Sequence, residues 1–186
     1  DFCLSRGLGD VYKRQIVNIN NSTNTAIQRE AGFREAFEGT DYELLETQFC
    51  EGDAAKAQTI AENYITEGVV GIYGTNEGAS TGVGNAIKAS GSDEIIGVGF
   101  DKSDTLKGLI EDGYLVCTMA QNPDQMGKLG VQACIKALNG EDLGGEVTDT
   151  GVSVLTKESL AEDGAEETEE AADADDAAEE TEEAAE

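Results

Sequence analysis

The sequence contains no histidine, and this absence excludes several kinds of active site. Serine–histidine and cysteine–histidine catalysis both need an imidazole as the general base, and a mixed zinc site needs it as a ligand. The four cysteines (Cys3, Cys50, Cys117 and Cys134) form no CxxC pair. Cys117 lies in an apolar strand-like run and Cys134 on the apolar face of a predicted helix, so we predict both to be small buried hydrophobic residues.

Basic residues are also scarce, with 12 Lys and Arg against 39 Asp and Glu and a net charge of -27. Fifteen of the acids lie in residues 158–186, where there is no basic residue at all. The remainder is still acidic and has no basic stripe with interleaved aromatics, so we expect no nucleic-acid partner. The sequence shows no apolar run long enough to span a membrane and no signal peptide.

The two ends differ in character from the middle of the chain. Residues 1–15 have no apolar periodicity, and their "DVYKRQ" matches the translation of the transposase mosaic end of sequencing adapters. We predict that 1–15 are adapter-derived or disordered, with any signal peptide or lipid anchor lost upstream; the alternative is a natural N-terminal strand. Residues 161–186 are Ala, Glu, Asp and Thr with a single Gly and no large apolar side chain, which predicts an acidic disordered tail.

Between these ends, short apolar runs alternate with amphipathic segments. The predicted strands are 16–19, 42–49, 69–74, 95–100, 114–121 and 148–156. The predicted helices are 24–39, 54–68, 79–91, 103–113 and 123–140. Near-continuous apolar strands separated by amphipathic helices predict a Rossmann-like, three-layer α/β fold with a parallel sheet covered on both faces.

Polar residues stand at the ends of three of these strands. Asn76 follows "GIYGT", Asp101 follows "GVGF", and Gln121 ends the run "VCTMAQ". In parallel sheets, ligands bind outside the carboxyl ends of the strands, so we expect these side chains on one rim. Taken singly, they could be a turn residue, a helix cap and a solvated strand end. Together, two amides and a carboxylate match the mixed donors and acceptors of a sugar or polyol.

The sequence also bears on a nucleotide site and a metal site at the same rim. The loop "GTNEGASTGVGNA" is glycine-rich, but it fits neither GxGxxG nor GxxxxGK[ST], and Glu77 within it would oppose a phosphate. A nucleotide site stays open as an alternative. The carboxylates of Glu77, Asp101 and Asp104 do not have the spacing of an EF-hand-like loop, so we expect no metal.

Four segments carry a resemblance to a known family: "IVNI…IQREAGFREAF", "GIYGTNEGA", "IIGVGFDKSD" and "LVCTMAQNPDQMGKLG". Over 16–160 the chain resembles the type I periplasmic binding proteins, and among them the ribose and simple-sugar receptors of ABC transporters. The resemblance implies an extracytoplasmic substrate-binding protein that holds a sugar between two lobes and delivers it to a permease, without catalysis or cofactor. Lactose-repressor-like regulators share this fold, so an effector-binding domain is the alternative function.

The resemblance also implies the ligand-binding residues. The family's sugar-binding arginine, three residues before a Gly-Phe pair, falls on Arg29; the simpler explanation of Arg29 is a surface salt bridge. The family's asparagine falls on Asn76, the aspartate of its GFD motif on Asp101, and its hinge-side glutamine on Gln121. The chain departs from the family at Gly52, where an aromatic residue would stack on the sugar.

The same resemblance predicts how the chain divides into lobes. Residues 16–121 correspond to the C-terminal lobe, and 147–160 to a strand that returns to it. Residues 122–146 correspond to a hinge crossing and a helix of the N-terminal lobe, most of which is absent from this sequence. We therefore expect the apolar face of that helix to lack its partners, and the chain to bind sugar weakly on its own.

Overall fold

A computed structural model describes residues 13–145 and 147–162, so the predictions for residues 1–12 and 163–186 lie outside the described residues. The strands within the described ranges are β1 (Lys13–Asn18), β2 (Glu43–Leu44), β3 (Gln48–Phe49), β4 (Gly71–Gly74), β5 (Ile96–Phe100), β6 (Cys117–Gln121) and β7 (Val152–Thr156). The helices there are α1 (Asn24–Ala36), α2 (Ala54–Thr66), α3 (Glu77–Ser90), α4 (Asp104–Glu111) and α5 (Pro123–Leu138).

The strands form one sheet in the order β2-β1-β4-β5-β6-β7, and β3 also pairs with β1. All of these pairs are parallel except β6 with β7. The predicted α/β fold is confirmed, and the observed sheet is mostly parallel. The crossover helices leave and re-enter the sheet so that β1, β4, β5 and β6 end at the same edge, which is the rim where the predicted site residues stand.

The antiparallel strand β7 is a departure from the predicted all-parallel sheet. The chain leaves the sheet after Gln121, runs through α5, and comes back at Val152, which pairs directly with Gln121. The side chain of Asn122 donates a hydrogen bond to the carbonyl of Thr150 at 2.8 Å, which ties the outgoing and returning segments together. Because the chain returns at the edge where it left, β7 must run in the opposite direction to β6.

Strand β1 begins three residues earlier than its predicted start at Ile16. Lys13 to Gln15 carry no apolar alternation, yet Gln15 is fully buried, and its amide donates to the carbonyl of Glu46 at 2.6 Å. The hydroxyl of Tyr64 donates to the same carbonyl at 3.2 Å. These two side chains occupy the Glu46 carbonyl, and the predicted strand 42–49 is accordingly divided into β2 and β3. The origin of residues 1–15 stays a prediction.

Helices cover both faces of the sheet. The main apolar core joins the sheet to α2, α3 and α4, and Ile72 of β4 belongs to it. The next residue, Tyr73, points to the other face, where its ring stacks on Phe33 of α1 with centroids 4.9 Å apart. Helices α2 and α3 pack very closely, since a Cβ on Gly82 would lie 2.4 Å from the Cβ of Ala57.

Helix α5 stands apart, because none of its residues is buried. The prediction that Cys134 is buried is wrong: its side chain is exposed, because nothing in the described part of the chain packs against this face of α5. Cys117 is half-buried, and burial raises the pKa of its thiol. Among the described residues, no helix combines the length and apolar character needed to cross a membrane.

Candidate functional site

Asp101 lies at the centre of the rim and connects two of its neighbours. One carboxylate oxygen accepts the backbone N–H of Glu77 at 3.0 Å, and the other accepts the side-chain amide of Gln121 at 2.9 Å. Its own N–H donates to the carbonyl of Met119 at 2.8 Å. The carboxylate therefore links the first turn of α3 to the end of β6, although Asp101 directly follows β5.

The backbone of Asp101 is in the left-handed region, with φ of 81°. A non-glycine residue adopts this conformation at a cost, and such residues concentrate at functional sites. Asp101 is not the cap of the helix that follows it, because the Ser103 hydroxyl accepts the N–H of Leu106 at the start of α4. The bonds to Glu77 and Gln121 hold the carboxylate at the rim instead.

Asn76 is the N-cap of α3, where its side-chain oxygen accepts the N–H of Ala79 at 3.3 Å. The sequence suggested a turn residue here as the local alternative, whereas the structure makes Asn76 a helix cap that uses the oxygen of the amide. The amide nitrogen carries the donors that a ligand oxygen would need. Capping therefore fixes the side chain at the rim and is compatible with ligand binding.

Arg29 reaches the rim from α1. Its Nη1 donates to the carbonyl of Thr75 at 2.9 Å, and its guanidinium lies over the ring of Phe100 with 3.6 Å from Cζ to the ring centroid. A cation held over an aromatic face in this way is attracted by the ring quadrupole. The simpler prediction of a surface salt bridge does not describe these contacts. Arg29 thus joins the ends of β4 and β5.

Tyr73 lies beside this group and was not singled out from the sequence. Its side chain is buried, and this burial raises the pKa of its hydroxyl to about 12. The charge of Arg29 lowers that pKa and the charge of Asp101 raises it, each by less than burial does. Both charged groups are therefore close enough to act on the same phenol. Its ring stacks on Phe33 of α1, about one helical turn from Arg29, and this contact helps to seat the helix that carries Arg29.

A buried polar network behind Arg29 was also missed. Asn18, at the end of β1, is fully buried and donates to Ala26 and Glu30 of α1 at 3.1 and 3.0 Å. The other carboxylate oxygen of Glu30 accepts from Arg34 and Thr47. Burial alone raises the pKa of Glu30, but the hydrogen bonds from these partners outweigh it and hold that pKa below its ordinary value.

Gly52 occupies the turn before α2, where the family's aromatic residue was expected. Its φ of 81° suits a glycine, and a Cβ there would contact Ile19 at 3.6 Å. The turn also fits tightly against α3, because a Cβ on Gly78 would lie 2.0 Å from the Gly52 carbonyl oxygen. This part of the rim is built from close backbone packing and offers no ring for stacking.

The chemistry available at the rim is hydrogen bonding by one carboxylate, two amides and a guanidinium. Among the described residues there is no group of three or more His, Cys, Asp or Glu side chains that could hold a metal ion. The donors and acceptors converge from α1, α3 and the ends of β5 and β6. Such a set recognises a small polar molecule through several hydroxyl groups at once.

Comparison with known proteins places the chain in a family. The model of the periplasmic binding protein domain matches residues 4–142. The ribose import binding protein of Escherichia coli is 31% identical over 121 residues, covering 64% of this chain and 41% of that protein. Its counterpart from Haemophilus influenzae is 30% identical over 140 residues, covering 74% and 48% respectively. The chain thus spans about half the length of the curated relatives it matches.

Solved structures agree with this assignment. A solute-binding protein of an ABC transporter from Agrobacterium vitis, bound to α-D-tagatopyranose, superposes with a TM-score of 0.75 and 27% identity, covering 82% of this chain and 52% of that one. Another from the same organism, with bound D-fucose, gives 0.74 and 28%, with coverage of 81% and 53%. The resemblance predicted from the sequence is confirmed: the chain belongs to the periplasmic binding protein domain family.

Proposed function

We propose that this chain is part of a substrate-binding protein of an ABC importer and covers one lobe and a segment of the other. We propose that this protein binds a sugar or similar polyhydroxylated solute and delivers it to a permease outside the cytoplasm. The observation that carries the proposal is the joint position of Arg29, Asn76, Asp101 and Gln121. Four side chains from four segments converge at the rim, and two of them are directly bonded. We propose these four as the ligand-binding residues, with Asp101 as the hydroxyl acceptor.

The proposed ligand class rests on the chemistry of the rim and on the relatives. A carboxylate accepts from two neighbouring hydroxyls, while a guanidinium and two amides donate to ring and hydroxyl oxygens. The relatives are named for ribose or allose, and the two solved structures hold tagatose and fucose. The glycine at position 52 removes one stacking surface, so we propose a polyol or sugar held mainly by hydrogen bonds. We propose a binding protein rather than an enzyme, since the relatives carry names of binding and import proteins.

We further propose that residues 122–146 belong to a second lobe. The support is the exposed apolar face of α5, where Val131, Ile135 and Leu138 are 53 to 87% exposed. Exposed apolar side chains on one helix face are typical of a surface that another part of the protein covers. Residues 16–121 and 147–160 would form the lobe described here, and the two tied segments at Asn122 and Thr150 would lie in the hinge.

The binding experiment is calorimetry on the full-length protein, with D-ribose, D-allose, D-tagatose and D-fucose as probes. We expect at least one of these sugars to bind, and Asp101→Ala to abolish its binding. The reason is that the variant removes the acceptor and releases Gln121. Retained affinity in Asp101→Ala would contradict the assigned role. Binding of none of the four sugars would contradict the proposed ligand class.

Asp104→Ala is the matched control, since this carboxylate lies three residues away in the first turn of α4 and is fully exposed. We expect it to bind the same sugar as the unchanged protein. The isolated 186-residue chain should bind far more weakly than the full-length protein, because the second lobe supplies contacts and excludes water on closure. Micromolar binding by the isolated chain would contradict the two-lobe site.

A further inference from the structure

The buried amide of Asn18 is bonded on all four of its hydrogen-bonding positions. Its oxygen accepts the N–H of Ile19 at 2.8 Å and the hydroxyl of Thr75. Its nitrogen donates to the carbonyl of Ala26 at 3.1 Å and to the carboxylate of Glu30 at 3.0 Å. The orientation of the amide is fixed, since Ile19 offers only a donor and Ala26 only an acceptor.

These hydrogen bonds are connected to Arg29 by two routes, one through Thr75 and one through α1 and Glu30. Through its oxygen, Asn18 holds Thr75, whose own carbonyl accepts the Arg29 guanidinium at 2.9 Å. Through its nitrogen, Asn18 donates to the carbonyl of Ala26 in the first turn of α1 and to the carboxylate of Glu30, the residue next to Arg29 in the chain. One buried side chain therefore sets the position of both the helix that carries the arginine and the carbonyl that receives it.

The Glu30 end of this arrangement is itself fixed. Its second carboxylate oxygen accepts from the Arg34 guanidinium at 2.9 Å and from the Thr47 hydroxyl. Arg34 also donates to the Thr47 hydroxyl at 2.8 Å. A carboxylate held by two side chains of the protein is a firm anchor for the Asn18 amide, and networks of this kind restrict motion when every member is satisfied.

We propose that Asn18 is a positioning residue for ligand binding: through Thr75 and Glu30 it holds the Arg29 guanidinium over Phe100 at the rim. This inference rests on the proposed function, in which Arg29 contacts the ligand. Asn18 itself is fully buried, so a ligand at the rim would not touch it. Its effect is on the preorganisation of Arg29, since a donor already held in its bound geometry loses less freedom when the ligand arrives.

The position of Arg29 can be measured without any ligand. The guanidinium lies 3.6 Å from the centroid of the Phe100 ring, so ring currents should move the NMR signals of the Arg29 side chain upfield. The chain has only four arginines, and Arg29→Lys identifies the signals that belong to this one. Phe100→Leu gives the reference shift with no ring present.

The main variant is Asn18→Asp, made in the 186-residue chain. It keeps an oxygen toward Thr75 and Ile19 but places a second oxygen against the Ala26 carbonyl and the Glu30 carboxylate. We expect Arg29 to lose most of its ring-current shift. Adding Glu30→Gln supplies a donor facing the new carboxylate, so we expect the double variant to regain part of the shift. An unchanged shift in folded Asn18→Asp would overturn the inference, as would the absence of any rescue.

Thr118→Val is the control for buried polar substitutions in general, because its buried hydroxyl has no hydrogen-bond partner and lies in β6. We expect this variant to keep the full Arg29 shift. If Asn18→Asp does not fold, Thr75→Val tests the inference in its place. This variant removes only the hydroxyl that donates to the side-chain oxygen of Asn18. A reduced shift then supports the inference, and an unchanged one overturns it.

A titration with D-ribose separates this inference from the proposed function. The ligand-free shift tests the positioning role alone, whereas ribose binding by the unchanged full-length protein tests the site. Loss of the shift together with weaker ribose binding in Asn18→Asp supports both. Loss of the shift with unchanged ribose affinity overturns the link between Asn18 and binding, while leaving ribose binding itself established.

Discussion

Helices α3 and α5 have similar lengths and similar mixtures of glycine, alanine and aliphatic residues, but they have opposite surroundings. Half of the residues of α3 are buried between α2, α4 and the sheet. In α5 none is buried, although Val131 and Ile135 lie one turn apart like the core residues Val83 and Ile87. An amphipathic pattern therefore identifies an apolar face, but it does not show whether the described chain supplies the residues that cover it.

The same contrast separates a core whose packing partners are described from a helix face whose partners are not. The core around α3 needs only the described chain, since its partners α2 and α4 are present. The apolar face of α5 has no such partner in the described ranges, in keeping with a chain about half as long as its relatives. If the proposed second lobe packs on this face, substitutions in the two helices must have very different effects in this chain.

Removing a matched isoleucine from each helix gives the largest expected difference. Ile87→Ala in α3 removes a side chain that is 3% exposed, and we expect a loss of about 2–5 kcal/mol from the transfer and cavity costs. Ile135→Ala in α5 removes one that is 53% exposed, and we expect a change within about 0.5 kcal/mol. Urea unfolding measures both. Equal losses would show that α5 is covered in solution.

Adding a methyl group tests the same contrast from the opposite direction. Gly82→Ala places a Cβ 2.4 Å from that of Ala57 and 2.6 Å from the Ala54 carbonyl, so we expect a loss of about 1–3 kcal/mol. Gly130→Ala meets nothing within 4 Å, and alanine should stabilise α5 by about 0.5–1 kcal/mol. A loss of stability in Gly130→Ala would place an unseen partner against this helix.

A smaller, pH-dependent effect is expected where the buried side of α1 holds Glu30. Its folded pKa lies below the ordinary value of 4.5, so its contribution to stability is present above that value and is lost as the pH falls through the folded pKa. Glu30→Gln should therefore be less stable than the unchanged chain at neutral pH, and this difference should narrow in acid. Urea midpoints measured across this range test the prediction.

Glu35→Gln serves as the control, because Glu35 is an exposed residue of the same helix. We expect its urea midpoint to follow that of the unchanged chain across the pH range. A difference for Glu30→Gln that does not depend on pH would contradict the role of its hydrogen bonds to Thr47, Asn18 and Arg34.

Much of the fold could be predicted because apolar periodicity reports directly on burial. The five predicted helices all occur, and the aliphatic runs around Ile72 and Val98 became central strands. The errors in the bounds of β1, β2 and β3 lie where polar side chains replace this signal. Gln15 is a fully buried polar residue in β1, and the carbonyl of Glu46 is occupied by side chains, so neither feature produces an apolar pattern.

The rim was predictable for a different reason: strand ends are visible in sequence, and parallel strands end together. That reasoning placed Asn76, Asp101 and Gln121 on one edge, and the resemblance added Arg29. It could not find Asn18, because an asparagine after an aliphatic run looks like a turn residue until its partners 8 to 57 positions away are known. The left-handed backbone of Asp101 was equally invisible, since glycine is the residue expected there.

The central claim is that sugar binds at the rim and not at the apolar face of α5. The most direct test is an NMR titration of the ¹⁵N-labelled chain with D-ribose, carried to the millimolar concentrations that its expected weak binding requires, and repeated with D-allose. We predict shift changes at Asn76, Asp101 and Gln121 and at the side chain of Arg29, no changes along α5, and none in Asp101→Ala. Changes centred on α5, an unaltered response in Asp101→Ala, or no response to either sugar would contradict the account.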